Sequence, residues 1–189
     1  MSERQPTLQE TAYHEAGHAV ISMHFGLAVN EVTIRPDLNN GTLGSVSGPN
    51  TLYGYEYAGA RERRKCVRQT IIGLYAGLEA EKLINPHANE ELSGNDETQA
   101  FDLLRDYPIP HCGYVGDDVY CAYLEKLRKE ARRMVKRLRP MIASLADELL
   151  SRTEMTGQEL EDFYKAITGR SGRPSSKRET EYRTGKDAK

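Results

Sequence analysis

Apolar residues recur every three to four positions over most of the chain, which is the spacing of amphipathic helices. The first such segment runs from Leu8 to Phe25, and Thr7 with Glu10 forms a T-x-x-E capping box at its start. Gly26 follows at the position where a glycine commonly ends a helix. The same spacing predicts further helices at about 58–84, 93–107, 117–150 (kinked or restarted at Pro140) and 157–169.

Two short segments instead alternate apolar and polar residues with a period of two. They are 31–36 and 42–46, and the turn-rich stretch 37–41 separates them. This arrangement predicts a small β-hairpin. We therefore expect a mainly α (α+β) fold: a helical domain with a small β-hairpin or sheet beside the first helix.

Length and charge predict one domain with two polar ends. We expect a flexible N-terminus over 1–6, a folded domain over 7–169 and a disordered basic tail over 170–189, which has almost no apolar residues. No apolar run approaches the roughly 18–20 residues of a membrane-spanning helix, so we expect no membrane span. Three cysteines are a poor disulfide framework, and they favour a cytoplasmic location. No phosphate-binding loop of the GxxxxGK[ST] type is present.

The segment His14-Glu15-Ala16-Gly17-His18 lies within the first predicted helix and carries the most informative chemistry. Residues four apart share one helix face, so His14 and His18 can bind one Zn²⁺. Glu15 then stands beside the ion as a general base for a water at the metal. Gly17 lies in the helix interior, where glycine costs about 1 kcal/mol, and this indicates close packing beside the site. The alternative is that both histidines are ordinary, partly buried residues.

A catalytic zinc site needs a third protein ligand and an open fourth position. Residue type alone leaves several carboxylates and histidines as candidates for this ligand. They are Glu79, Glu81, His87, Asp96, Glu97 and His111.

The segment Ala12–Val20, AYHEAGHAV, resembles the A-Y-H-E-A-G-H-A motif of the FtsH-type zinc proteases, the peptidase domains of membrane-bound AAA proteases. The resemblance continues in the same order along the chain, from about residue 8 to 168. It includes the predicted hairpin and then the segments 72–81, 93–100 and 145–159.

This resemblance implies a role for two of the open candidates. Asp96 matches the Asp of the family's N-D pair, which is the third zinc ligand in that family. Without the resemblance, Asp96 could equally be a helix-capping residue, since Asp is common at that position. Glu81 matches the first Glu of the family's A-E-E and is expected to orient a histidine ring without binding the metal. The chain departs from the family at Leu78, which replaces an Arg, at the shortened run 94–96, and at the loop 107–116.

The resemblance implies a zinc-dependent metallopeptidase that hydrolyses unfolded or flexible polypeptides without an ATPase of its own. Glu15 would be the catalytic residue, and His14, His18 and Asp96 would bind Zn²⁺. The expected partners are a polypeptide substrate, a separate AAA-type unfoldase and further copies of the chain in a homo-oligomer.

Two other functions remain open from the sequence. One is a non-catalytic zinc-binding module that partners a separate ATPase or protease. The other is nucleic-acid binding through the basic stretch 126–139 and the tail. Because the whole chain has a net charge of −2, we rank nucleic-acid binding last.

Overall fold

Helices dominate the structure, a computed structural model that describes residues 5–37, 39, 41–48, 59–88, 94–107 and 117–170. The described residues form five helices and three short strands, and the mainly α (α+β) prediction is confirmed. In chain order these elements are α1 (Leu8–His24), β1 (Glu31–Thr33), β2 (Ser45–Ser47), α2 (Ala60–Glu81), α3 (Gly94–Asp106), α4 (Asp117–Arg152), β3 (Glu154–Thr156) and α5 (Gly157–Thr168).

The helix termini follow the capping signals of the sequence. Thr7 Oγ1 accepts a hydrogen bond from the Glu10 backbone N–H, and the Thr7 N–H donates to the Glu10 carboxylate. Thr156 and Glu159 form the same reciprocal pair at the start of α5. Gly26 has a positive φ of 71° just after α1, a conformation that glycine adopts without steric cost. The capping box predicted at Thr7 and Glu10 is thus confirmed.

The prediction of a restart at Pro140 is wrong, because α4 continues through this residue to Arg152. A proline in a helix interior loses one backbone hydrogen bond and costs about 3 kcal/mol. Here the helix buries apolar side chains on both sides of the proline, among them Val135 and Ile142. Burial of this continuous face offsets the local cost.

The three strands form an antiparallel sheet in the order β2-β1-β3. Val32 of β1 is fully buried and lies between Val46 of β2 and Met155 of β3. The sequence predicted the first two strands as a hairpin but did not predict β3. Because β1 is central, β2 is an outer strand of this sheet.

The two hairpin strands are shorter than predicted. The ladder covers Glu31–Thr33 and Ser45–Ser47, whereas the alternation suggested 31–36 and 42–46. A single bridge between Asp37 and Thr42 closes the remaining part of the hairpin. Beyond this ladder, the N–H of Ile34 donates to the carbonyl of Thr153, which precedes β3.

The core lies where α1, α2 and α4 pack together. A Cβ placed on Gly17 of α1 would lie 2.5 Å from the carbonyl oxygen of Ala76 and 2.6 Å from the Cβ of Ala80. The predicted close packing at Gly17 is therefore confirmed. It brings the backbone of α2 against the helix face that carries the two histidines.

Several predicted features lie partly or wholly outside the described residues. They include much of the N-terminus 1–6, the loop 108–116 and the tail beyond Arg170. Within the described residues, no helix combines the length and apolar character that crossing a bilayer requires. The basic stretch 126–139 lies within α4, where Arg132 forms an ion pair with the buried Glu79 of α2.

Candidate metal centre

Three potential metal ligands from two helices converge at one point. His14 and His18 lie one turn apart on α1, and their ring centroids are 4.7 Å apart. Asp96 lies in the first turn of α3, and its Oδ2 is 3.3 Å from the Nε2 atoms of both His14 and His18. Of the described His, Cys, Asp and Glu residues, these three form the group compact enough to hold a metal ion.

The separations between these three side chains fit ligands around an ion. Charge-assisted N–H···O hydrogen bonds are usually about 2.7–2.9 Å long, whereas both Nε2···Oδ2 distances are 3.3 Å. Zinc–nitrogen and zinc–oxygen bonds of about 2.0–2.1 Å in a tetrahedron place neighbouring ligand atoms about 3.3–3.4 Å apart. Two imidazoles and one carboxylate are also a donor set typical of zinc.

The second nitrogen of each imidazole is held by α2. His18 Nδ1 donates to the carbonyl oxygen of Gly73 at 2.8 Å, which leaves the Nε2 lone pair of the neutral ring facing Asp96. His14 Nδ1 lies 3.3 Å from Oε2 of Glu81, a buried carboxylate. Such contacts fix the orientation and tautomer of metal-binding histidines. Glu81 therefore contacts the outer nitrogen of His14 and is not part of the group of three.

Gly77 of α2 leaves the space in which the two imidazole nitrogens meet. A Cβ at this position would lie 2.4 Å from Nε2 of His18 and 2.6 Å from Nε2 of His14. Any side chain here would therefore fill the cradle between the ligands. Sequence reasoning did not single out Gly73 or Gly77, although each lies in a helix interior, where glycine is costly unless close approach requires it.

Glu15 is buried beside the three ligands and does not contribute to the group. The exposed fraction of Glu15 is 6%. None of the described residues donates a hydrogen bond to its carboxylate. Burial raises the pKa of Glu15, although His18 and His14 partly oppose this. A Cβ on Gly44 would lie 2.8 Å from Oε1 of Glu15, so the hairpin backbone packs directly on this carboxylate.

The centre opens into a cleft of about 880 Å³. The outer strand β2 with the residues that precede it lines one part of the cleft, and α3 lines another. Glu15 lines the cleft together with His14, His18 and Asp96. Pockets of about 300–1,000 Å³ are typical of sites for small molecules or peptide segments.

The other candidates for the third ligand lie elsewhere or outside the described residues. The buried Glu79 accepts two hydrogen bonds from Arg132, at 2.7 and 3.0 Å. Glu97 lies 3.6 Å from Arg128, and His87 is exposed after the end of α2. His111 lies outside the described residues.

Carboxylates dominate the electrostatics of the centre. Burial lowers the pKa of His14, but Asp96 and Glu81 outweigh this effect and raise it to about 10. The pKa of His18 is also raised, because Asp96 outweighs burial. Burial raises the pKa of Asp96, but the two imidazoles hold it well below its usual range. The centre therefore favours positive charge, from protons or from a metal ion.

Zinc uptake is expected to release at least one proton per ion at pH 7, because the pKa values of His14 and His18 are both raised. With a pKa of about 10, His14 is protonated at this pH, and only the neutral ring can bind a metal. The apparent affinity for zinc should fall about tenfold for each unit by which the pH lies below this pKa. Titration calorimetry in buffers of different ionisation enthalpy measures the proton count. An H87Q variant should release the same number, and zinc uptake without proton release would contradict the expectation.

A comparison with protein-family models and with curated proteins finds no match for this chain.

Proposed function

We propose that this protein is a zinc-dependent metallopeptidase that hydrolyses peptide bonds in unfolded or flexible polypeptides. One observation carries the proposal: the buried carboxylate of Glu15 accepts no hydrogen bond from the described residues and lines the same cleft as three convergent zinc-type donor groups. A protein that only binds zinc for structure has no need of such a group at Glu15. Structural zinc sites also usually have four protein ligands, whereas the described residues contribute three to this group.

His14, His18 and Asp96 would hold Zn²⁺, which supplies Lewis acidity that polarises the substrate carbonyl and acidifies the attacking water. Glu15 accepts a proton from that water and returns it to the nitrogen of the leaving amine. Burial suits this role, because the raised pKa makes the carboxylate a stronger base than an exposed one. Glu81 and the carbonyl of Gly73 keep both imidazoles oriented while the proton moves.

The cleft favours an extended polypeptide over a folded one. The outer edge of β2 pairs with no strand of the described residues, so a substrate segment can add to it as a further antiparallel or parallel strand. Strand addition uses the substrate backbone and requires that this backbone is free of its own secondary structure. Unfolded proteins and flexible loops meet this requirement.

The resemblance to FtsH-type proteases extends the proposal to partners. Those proteases work on chains that an AAA ATPase unfolds, so we propose a separate AAA-type unfoldase as a partner and a homo-oligomer as an assembly. We also propose a cytoplasmic location. The exposed Cys121 is a free thiol, as expected in a reducing compartment.

The test combines metal analysis with proteolysis of an unfolded protein such as casein. We expect one zinc ion per chain and cleavage that stops when a chelator removes the metal and resumes when zinc is returned. Exposed His87 offers a control, since H87Q should keep both metal and activity. A chain that holds zinc but cleaves neither casein nor flexible peptides would contradict the proposal and favour the non-catalytic module.

A further inference from the structure

We infer that the cleft selects basic substrates, with Lys or Arg three to five residues from the bond that is cut. This inference rests on the proposed peptidase function and names the substrate class of the same site. The residues that would set the preference are Asp102 and Asp106 of α3, which we call the acidic wall.

Among the described residues that line the cleft, every Asp, Glu, Lys or Arg is acidic. Glu15, Glu81 and Asp96 lie at the metal centre, and the acidic wall continues the negative lining along α3. Lys and Arg together make up 26 of the 189 residues, yet none of the described residues that line the cleft is a Lys or Arg. A bound Zn²⁺ adds two positive charges at the centre and leaves the acidic wall without compensation inside the cleft.

The acidic wall lies at a defined distance from the centre. Asp102 and Asp106 are six and ten residues after the ligand Asp96 on the same helix, or about 9 and 15 Å along its axis. An extended peptide advances about 3.3 Å per residue. A substrate that runs from the metal along α3 therefore reaches Asp102 after about three residues and Asp106 after four to five.

The stability of α3 does not explain the presence of Asp102 and Asp106. Both lie toward the C-terminal end of α3, where the helix dipole disfavours negative charge. Arg105 lies 3.0 Å from Asp102 and 3.6 Å from Asp106, but all three side chains are about half exposed or more. Exposed pairs of this kind contribute about 0–1 kcal/mol. A substrate cation can therefore approach the wall from the cleft, which Arg105 does not line.

The experiment uses a set of fluorogenic peptides that differ only in one residue, which is Lys, Gln or Glu. The position is moved from two to six residues away from the scissile bond, on each side in turn. We expect kcat/KM to be about three- to tenfold higher for Lys than for Gln at positions three to five on one side. Glu at the same positions should lower it below the Gln value.

The D102N/D106N double variant should bring the Lys-to-Gln ratio close to one. D147N/D162N is the matched control: it removes the same charge from exposed residues outside the cleft and should leave the ratio unchanged. An unchanged ratio in D102N/D106N, or a wild-type enzyme that prefers Gln or Glu peptides, would overturn the inference while the peptidase function stands.

A binding measurement separates this inference from the proposed function. Fluorescence anisotropy of the same peptides on zinc-loaded E15Q protein needs no turnover. Tighter binding of the Lys peptides, lost in E15Q/D102N/D106N, would support a basic-selective cleft even if the wild type cleaves nothing. Equal binding of Lys, Gln and Glu peptides would overturn the inference in either case.

Discussion

A G77A variant is expected to lose zinc almost completely, although no ligand changes. The added Cβ would lie 2.4 Å from Nε2 of His18 and 2.6 Å from Nε2 of His14, in the space that the proposed metal ion would share with these nitrogens. The imidazoles cannot simply turn aside, because their Nδ1 atoms are held by Gly73 and Glu81. We expect zinc affinity to fall by about 100-fold or more. Metal content after desalting and a competition titration with a zinc chelator measure the loss.

The matched control lies one turn earlier on the same helix. A Cβ on Gly73 would meet only Oγ of Ser22 at 3.5 Å, an ordinary van der Waals distance. G73A keeps the backbone carbonyl that accepts from His18, so zinc affinity should stay at the wild-type value. The free energy of unfolding should rise by about 0.5–1 kcal/mol, because alanine favours the helix over glycine. If G77A binds zinc as tightly as G73A, the metal does not lie between these histidines.

An E15Q variant is expected to retain zinc and lose turnover by a factor of about 10³, within the 10²–10⁴ range of general acid–base catalysis. Glutamine has nearly the same size, so it fits below Gly44, where the space is tight. Its amide cannot accept a proton from water at neutral pH. We expect kcat to fall while KM changes little, because Glu15 does not belong to the ligand group.

The control for E15Q is E125Q, which changes an exposed glutamate of α4 away from the cleft. It should keep both zinc and activity. Steady-state rates on the fluorogenic peptides, together with metal content of the same samples, separate loss of the base from loss of the metal. Wild-type turnover in zinc-loaded E15Q would exclude Glu15 as the general base.

Helices and the histidine pair could be predicted from the sequence because the signals are local. Capping boxes act over three residues, and the spacing of His14 and His18 alone places both on one helix face. The third candidate ligand is different, since the meeting of Asp96 with His14 depends on where α3 lies relative to α1, and the two residues are 82 positions apart in sequence. Residue type left six candidates open, and the resemblance to a known family singled out Asp96.

Features that depend on close approach between distant elements were missed. The strand β3 has only three residues between two helices, and it exists because Met155 pairs with Val32 across more than 120 residues of chain. Gly77 gave only a weak local signal, a glycine inside an amphipathic helix, and the atoms that require it belong to another helix. In both cases the partner, not the segment itself, determines the structure.

Gly17 and Gly77 make the contact between α1 and α2 reciprocal. Gly17 on α1 leaves room for Ala76 and Ala80 of α2, while Gly77 on α2 leaves room for the imidazoles of α1. One interhelical distance therefore sets both the packing of the core and the width of the metal cradle. A change in this distance would alter the core packing and the space between the imidazoles together, so a sequence change at either glycine must be matched across the contact.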